Sequence, residues 1–213
     1  MPPLRLCYIT DRLALAPAPL LDRIGEAIAA GADLVQIREK DLATRPLVDL
    51  VARAVDAARG TGTRVVVNDR LDVALALGAD GVHLGQQSMP ARAVCEALDK
   101  LGERLEERRF LVGVSCHSLE EARQAEGSGA SYVLLGPIFE TASKLRYGPP
   151  LGLEKLRDVT ARVKVPVLAL GGITVERVKP CLEAGATGVA GISLFQNAPS
   201  VAERVRELRA QFG

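Results

Sequence analysis

The sequence predicts a single (β/α)8 barrel over residues 1–213, and three observations carry that expectation. Short β-branched or apolar runs alternate eight times with segments of helical periodicity. The triplets Gly31-Ala32-Asp33, Gly78-Ala79-Asp80, Gly129-Ala130-Ser131 and Gly185-Ala186-Thr187 recur about every 50 residues. Each sits between a helix end and the second, fourth, sixth or eighth strand, so one helix-capping solution is used four times. Polar residues also gather at the strand exits, whereas the helix-to-strand connections carry mainly small capping residues. The competing architecture is an open doubly wound sheet, but no G-x-G-x-x-G follows the first strand.

The elements follow in order. Leu4–Ile9 alternates and then runs apolar into Thr10-Asp11-Arg12, a strand with a polar exit. Leu20, Leu21, Ile24 and Ile28 recur at helical spacing, and that helix stops at Gly31. Leu34–Ile37 is the second strand, and a helix presenting Leu47, Leu50, Val51, Ala54 and Val55 on one face runs to Gly60. Val65-Val66-Val67 is a buried strand that ends in Asn68-Asp69-Arg70, before a short helix from Leu71 to Leu77. Gly81–Leu84 leads into Gly85-Gln86-Gln87-Ser88 and a charged helix over Ala91–Leu101. Phe110–Val114 exits at Ser115-Cys116-His117-Ser118, where Ser118 and Glu121 form a capping-box start. Tyr132–Leu135 runs into the loop 136–144, and a helix near Leu151–Val159 follows. Val165–Leu170 exits at Gly171-Gly172, a helix covers Val175–Leu182, Val189–Gly191 leads to Ile192-Ser193, and Val201–Phe212 is the last helix.

Composition excludes several functional classes. With 27 basic against 26 acidic residues, net charge +1, no chain-wide attraction to nucleic acid or anionic membrane follows. Aromatics make up 3% and tryptophan is absent, which argues against base-stacking platforms. No apolar run approaches a membrane span, and the start Met-Pro-Pro-Leu-Arg-Leu lacks a signal-peptide core. Cys7, Cys95, Cys116 and Cys181 are far apart with no C-x-x-C pair, as expected of free thiols in a cytoplasmic protein. Small-molecule substrates are the expected partners, and a homodimer stays open.

In such a barrel the strand exits share one functional face. Arg38, Lys40 and Lys144 are cations at those exits, beside Asp69, a carboxylate able to hold Mg2+. Cations with a hard metal ion suit a diphosphate and would stabilise departing pyrophosphate. Gly171-Gly172 and Gly191-Ile192-Ser193 would offer backbone N–H groups to a second anion. Plain structural readings compete. Asp69 could cap the following helix, Arg38-Glu39-Lys40 could be a solvated cluster, and Gly172 could only permit a turn. His83, inside Val82-His83-Leu84, reads as a packed core histidine, whereas His117 suits acid–base work or substrate contact. Cys116-His117 is a poor thiol-protease pair, because adjacent residues on an extended exit diverge.

Taken together, Tyr8-Ile9-Thr10-Asp11, Gln36-Ile37-Arg38-Glu39-Lys40, Asn68-Asp69-Arg70, Gly81-Val82-His83-Leu84-Gly85-Gln86, Gly113-Val114-Ser115, Gly136-Pro137-Ile138-Phe139 with Thr141-Ala142-Ser143-Lys144, and Gly171-Gly172-Ile173 resemble the thiamine phosphate synthase family. That family also contains thiazole tautomerase. The resemblance implies joining of 4-amino-2-methyl-5-hydroxymethylpyrimidine diphosphate to a thiazole phosphate, with loss of pyrophosphate first. By position it places Gln36, Ile37, Arg38, Glu39, Lys40, Asn68, Ser115 and Lys144 on the pyrimidine diphosphate. Asp69 would bind one Mg2+ per active site, and Thr141, Ala142, Ser143, Gly172, Ile192 and Ser193 would hold the thiazole phosphate. Lys144, Ser115 and His117 are the implied catalytic residues. One departure stands out: a second metal-binding aspartate belongs where this chain has Ser88, and a hydroxyl is the poorer ligand for a hard dication. The alternatives are a tautomerase using His117, or a protein that binds thiamine precursors without turnover.

Overall fold

The computed structural model describes residues 3–14, 19–101, 110–141 and 149–212. Eight parallel strands close on themselves in sequence order. They are β1 (Leu6–Ile9), β2 (Leu34–Ile37), β3 (Arg64–Asn68), β4 (Gly81–Leu84), β5 (Leu111–Cys116), β6 (Tyr132–Leu135), β7 (Val167–Leu170) and β8 (Gly188–Gly191). The helices between and after them are α1 (Leu20–Ala29), α2 (Thr44–Ala58), α3 (Leu71–Leu77), α4 (Ala91–Leu101), α5 (Leu119–Gly127), α6 (Gly152–Thr160), α7 (Val175–Glu183), α8 (Ser193–Gln196) and α9 (Val201–Arg209). β1 pairs with both β2 and β8, which completes the ring.

The four-fold repeat explains the closed end of the barrel. Gly31, Gly78, Gly129 and Gly185 all have φ between +64° and +90°, a conformation glycine adopts without Cβ strain. The following alanine N–H reaches back five residues in each case, for example Ala32 to the Ala27 carbonyl and Ala79 to Ala74. The third residue of the triplet has a further task. One Asp33 carboxylate oxygen accepts from the Arg5 and Leu6 amides, Asp80 accepts from Val65, and Ser131 accepts from Val112. In three of its four copies the repeat therefore ends a helix and ties down the start of the preceding strand in one stroke.

Two layers of apolar packing surround the strands. Outward residues such as Val35, Ile37, Val65, Val67, Val133 and Leu135 pack against the helices. Inward residues Cys7, Leu34, Val66, Leu111, Tyr132, Leu134, Leu168 and Ala190 fill the barrel. Because side chains alternate faces, Gln36, Asn68, His83 and Ser115, two residues beyond inward Leu34, Val66, Gly81 and Gly113, point inward at the open end.

The element boundaries differ from the sequence expectation in places with clear causes. β5 continues through Ser115 and Cys116, because Ser115 and Cys116 pair with Leu134 and Leu135 of β6. β7 starts only at Val167, after Pro166, which has no N–H to give a ladder. The last helix ends at Arg209 and tightens into a 3-10 turn over Ala210–Phe212. Half of the capping box forms: Ser118 accepts from the Glu121 amide at 3.1 Å, but the Glu121 carboxylate reaches the His117 amide instead, at 2.7 Å. That contact fixes the backbone at the β5 exit.

Candidate active site

The strand exits enclose a cleft of about 620 Å3 at the open end of the barrel. Of the residues expected from sequence, it brings together Gln36, Arg38, Lys40, Asn68, Asp69, Ser115, His117, Thr141, Gly172, Ile192 and Ser193, with Ser88 among them. Two expected diphosphate contacts are elsewhere. Ile37 is 1% exposed and belongs to the packing between barrel and helices. Glu39 is 6% exposed; its carboxylate accepts from the Thr10 hydroxyl at 2.6 Å and the Arg12 amide at 3.0 Å. Both residues line a neighbouring cavity of about 250 Å3. Within β2 the two-residue period turns Ile37 away from the cleft side of Gln36, and beyond the strand Glu39 is turned inward to Thr10 and Arg12, while Lys40 borders both cavities. Ala142, Ser143 and Lys144 lie outside the described residues.

Asp69 is the centre of a polar chain. Gln36 Nε2 donates to Asn68 Oδ1 at 3.0 Å, and Asn68 Nδ2 donates to one Asp69 carboxylate oxygen at 2.6 Å. Ser88 Oγ donates to the other oxygen and accepts from the Gly85 amide at 2.6 Å. Asp69 does not cap α3, whose N-cap position is Arg70 with no side-chain cap bond. It is also the one non-glycine residue among those described with a positive φ, at 63°. A left-handed conformation costs a residue with a Cβ roughly 1–2 kcal/mol, although aspartate tolerates it better than most. Strain held at the mouth of a barrel points to a site rather than to a fold requirement.

The residues present fit a magnesium ion. Each Asp69 oxygen accepts one hydrogen bond and retains a second lone pair. Magnesium is commonly held by one or two carboxylates together with substrate phosphates and water. No group of three or more His, Cys, Asp or Glu side chains converges on a metal position among the described residues. Asp69 is a carboxylate among the described residues at the mouth that could hold such an ion.

Further round the mouth, Gly172 shows why glycine stands there. Its φ is +64°, and a Cβ would meet the Glu140 carbonyl oxygen at 2.5 Å and Phe139 Cβ at 2.8 Å. The glycine lets the β6 exit pack against the β7 exit. Arg177 fixes that corner by donating to the Gly172 carbonyl at 2.6 Å and lying 4.6 Å over the Phe139 ring. α8, a short helix, starts at Ser193 in the cleft. The first amides of a helix have no acceptor within it and are suited to an anion.

Cys116 and His117 diverge as expected. Cys116 is buried outside the barrel, and burial pushes its thiol pKa up to about 12. It is no nucleophile near neutral pH. His117 lines the cleft, and its Nδ1 donates to the Gly136 carbonyl, so Nε2 is the basic nitrogen of the neutral ring. His83 is the packed histidine the sequence suggested, 1% exposed, yet its ring also floors the cleft. Asp11, at the β1 exit, joins the lining too; it sits at a strand exit like the others, and that position was the available signal.

A closed parallel barrel with cations, a strained carboxylate and two glycine-bearing strand exits at one mouth defines an enzyme-type site for phosphorylated small molecules. Residues 6–195 match the thiamine monophosphate synthase family, and the chain belongs to that family. It is 41% identical over 202 residues to the thiamine-phosphate synthase of Roseiflexus sp. (strain RS-1), covering 95% of this chain and 82% of the relative. It is 42% identical over 191 residues to the thiamine-phosphate synthase of Moorella thermoacetica, covering 90% and 87%. Among solved structures, thiamine phosphate pyrophosphorylase from Pyrococcus furiosus superposes with a TM-score of 0.85 at 35% identity, covering 98% of this chain and 95% of that one.

Proposed function

We propose that this protein is a thiamine-phosphate synthase that joins 4-amino-2-methyl-5-hydroxymethylpyrimidine diphosphate to thiazole phosphate and releases pyrophosphate. The observation that carries this is the grouping of Arg38, Lys40 and Asp69 on one side of the cleft and Gly172 with Ser193 on another. Two anion subsites at one mouth suit two phosphorylated substrates. Arg38 and Lys40 would hold the diphosphate, with Lys144 joining them on the family pattern. The Gln36 side-chain oxygen Oε1 is buried without a partner among the described residues, and Asn68 holds the amide in place. It would accept from the pyrimidine's exocyclic amino group. The backbone corner at Gly172, Ile192 and Ser193, with Thr141, would take the thiazole phosphate.

In this reading the methylene C–O bond breaks first, and its electron pair leaves with pyrophosphate. The amino group feeds density into the resulting pyrimidine cation, and the thiazole nitrogen then supplies the pair for the new C–N bond. Magnesium, held by Asp69, would neutralise charge on the diphosphate. The protein contributes position and fixed charge rather than a covalent intermediate. The cleft side chains match that division of labour, because the thiol nearest the mouth, Cys116, is buried. We also place the protein in the cytoplasm on its dispersed free cysteines, and propose no nucleic-acid partner. No helix among the described residues is long and apolar enough to cross a membrane.

Turnover is the test. Purified protein with Mg2+ and both substrates is expected to give thiamine phosphate and pyrophosphate. Absence of product, with isomerisation of the exocyclic thiazole tautomer that His117→Ala abolishes, would instead make it a tautomerase.

A further inference from the structure

We propose that Tyr132 and His83 are positioning residues for Ser115, forming a proton-ordered chain that turns the Ser115 hydroxyl proton out into the cleft. The proposal rests on the reading of Ser115 as a substrate contact. His83 Nδ1 lies 3.2 Å from the Tyr132 hydroxyl, and His83 Nε2 lies 2.9 Å from Ser115 Oγ. The two rings sit 5.8 Å apart inside the barrel, with Tyr132 fully buried and His83 1% exposed.

The order of the protons follows from Tyr132. A buried O–H must donate to something, and His83 Nδ1 is the partner the barrel supplies. Burial also holds the phenol pKa well above its ordinary value, so the hydroxyl keeps its proton. An accepting Nδ1 places the ring proton on Nε2. Nε2–H then donates to Ser115 Oγ, and the serine's own proton is left to point away from the histidine. Away from the histidine is the cleft, which Ser115 lines. In the opposite order, Ser115 would donate inward and the Tyr132 proton would have no acceptor among the described residues.

Gly113 belongs to the same device. A Cβ there would lie 2.2 Å from Tyr132 Cζ and 2.6 Å from His83 Nδ1, so only glycine leaves room for this pair. Next to an anionic substrate, a serine fixed as a donor is worth more than one that can rotate inward.

The test reads the tautomer directly. The chain has two histidines, so 15N-histidine labelling gives two ring systems, and His117→Gln assigns them. Wild-type His83 is expected as the Nε2–H tautomer at about pH 8, above the range in which an ordinary histidine changes charge. An Nδ1–H tautomer at that pH would overturn the proposal. Tyr132→Phe should shift the Nδ1 resonance and lower kcat about tenfold while the circular dichroism stays native, the size expected for one misdirected hydrogen bond. An unchanged resonance and kcat would overturn it. His83→Gln, whose amide can donate to Ser115, should keep more activity than His83→Leu; equal losses would also count against the chain. A wild-type protein with the Nε2–H form but no synthase turnover would support the proton order and overturn the functional reading.

Discussion

Ser88→Asp separates a metal site from an ordinary polar cluster. Ser88 Oγ donates to Asp69 and accepts from the Gly85 amide, so the substitution sets a second carboxylate against the first and removes the donor between them. Two like charges about 4 Å apart repel by ~1 kcal/mol in water and ~4 kcal/mol at an effective dielectric near 20. Asp69 is exposed, which places the cost toward the lower figure. Loss of a hydrogen bond to a charged group adds roughly 1.5–3 kcal/mol at most. A net loss of about 2 kcal/mol lowers Tm by roughly 4–8 °C in a chain of this size. Thermal melts in EDTA should show that drop, and Mg2+ should restore the variant by more than it stabilises the wild type. A variant as stable as wild type in EDTA, with no response to Mg2+, would refute the placement of a cation at Asp69.

Other outcomes follow from the same geometry. Only Cys95 among the four thiols is partly exposed, so a native-state thiol titration should find about one reactive group and a denatured one all four. At pH 8 a thiol held near 12, as Cys116 is, has only ~10⁻⁴ of its population as thiolate, so raising pH should speed labelling of Cys95 long before Cys116. Gly172→Ala should cost about 1–3 kcal/mol by urea unfolding, from left-handed strain plus the clash with the Glu140 carbonyl; a neutral result would contradict the packing of the two exits. Arg38→Ala should raise KM for the pyrimidine diphosphate about tenfold or more and leave KM for the thiazole phosphate nearly unchanged. Equal effects on both would contradict the two-subsite assignment.

The architecture was legible because repetition and alternation are local properties. Gly31, Gly78, Gly129 and Gly185 reported four helix ends, and the valines of β3 reported a buried strand. The cleft was legible to the extent that it lies at strand exits. Ile37 could be separated from Gln36 by the two-residue period of β2, which a continuous five-residue motif obscures. Other contacts depend on register between distant strands. Nothing near Tyr132 in the chain reveals that its hydroxyl meets a histidine 49 residues away. The same holds for the Ser88–Asp69 contact, which spans 19 residues and two exits. The positive φ of Asp69 had no sequence signal of the kind a glycine would give.

The coupling of both anion subsites to one reaction at one mouth ties the release of pyrophosphate to the formation of thiamine phosphate. It is tested most directly by following pyrophosphate and thiamine phosphate together through a complete time course with Mg2+ and both substrates. The two products are expected in equal amounts throughout. Pyrophosphate released well in excess of thiamine phosphate, or neither product formed, would contradict it.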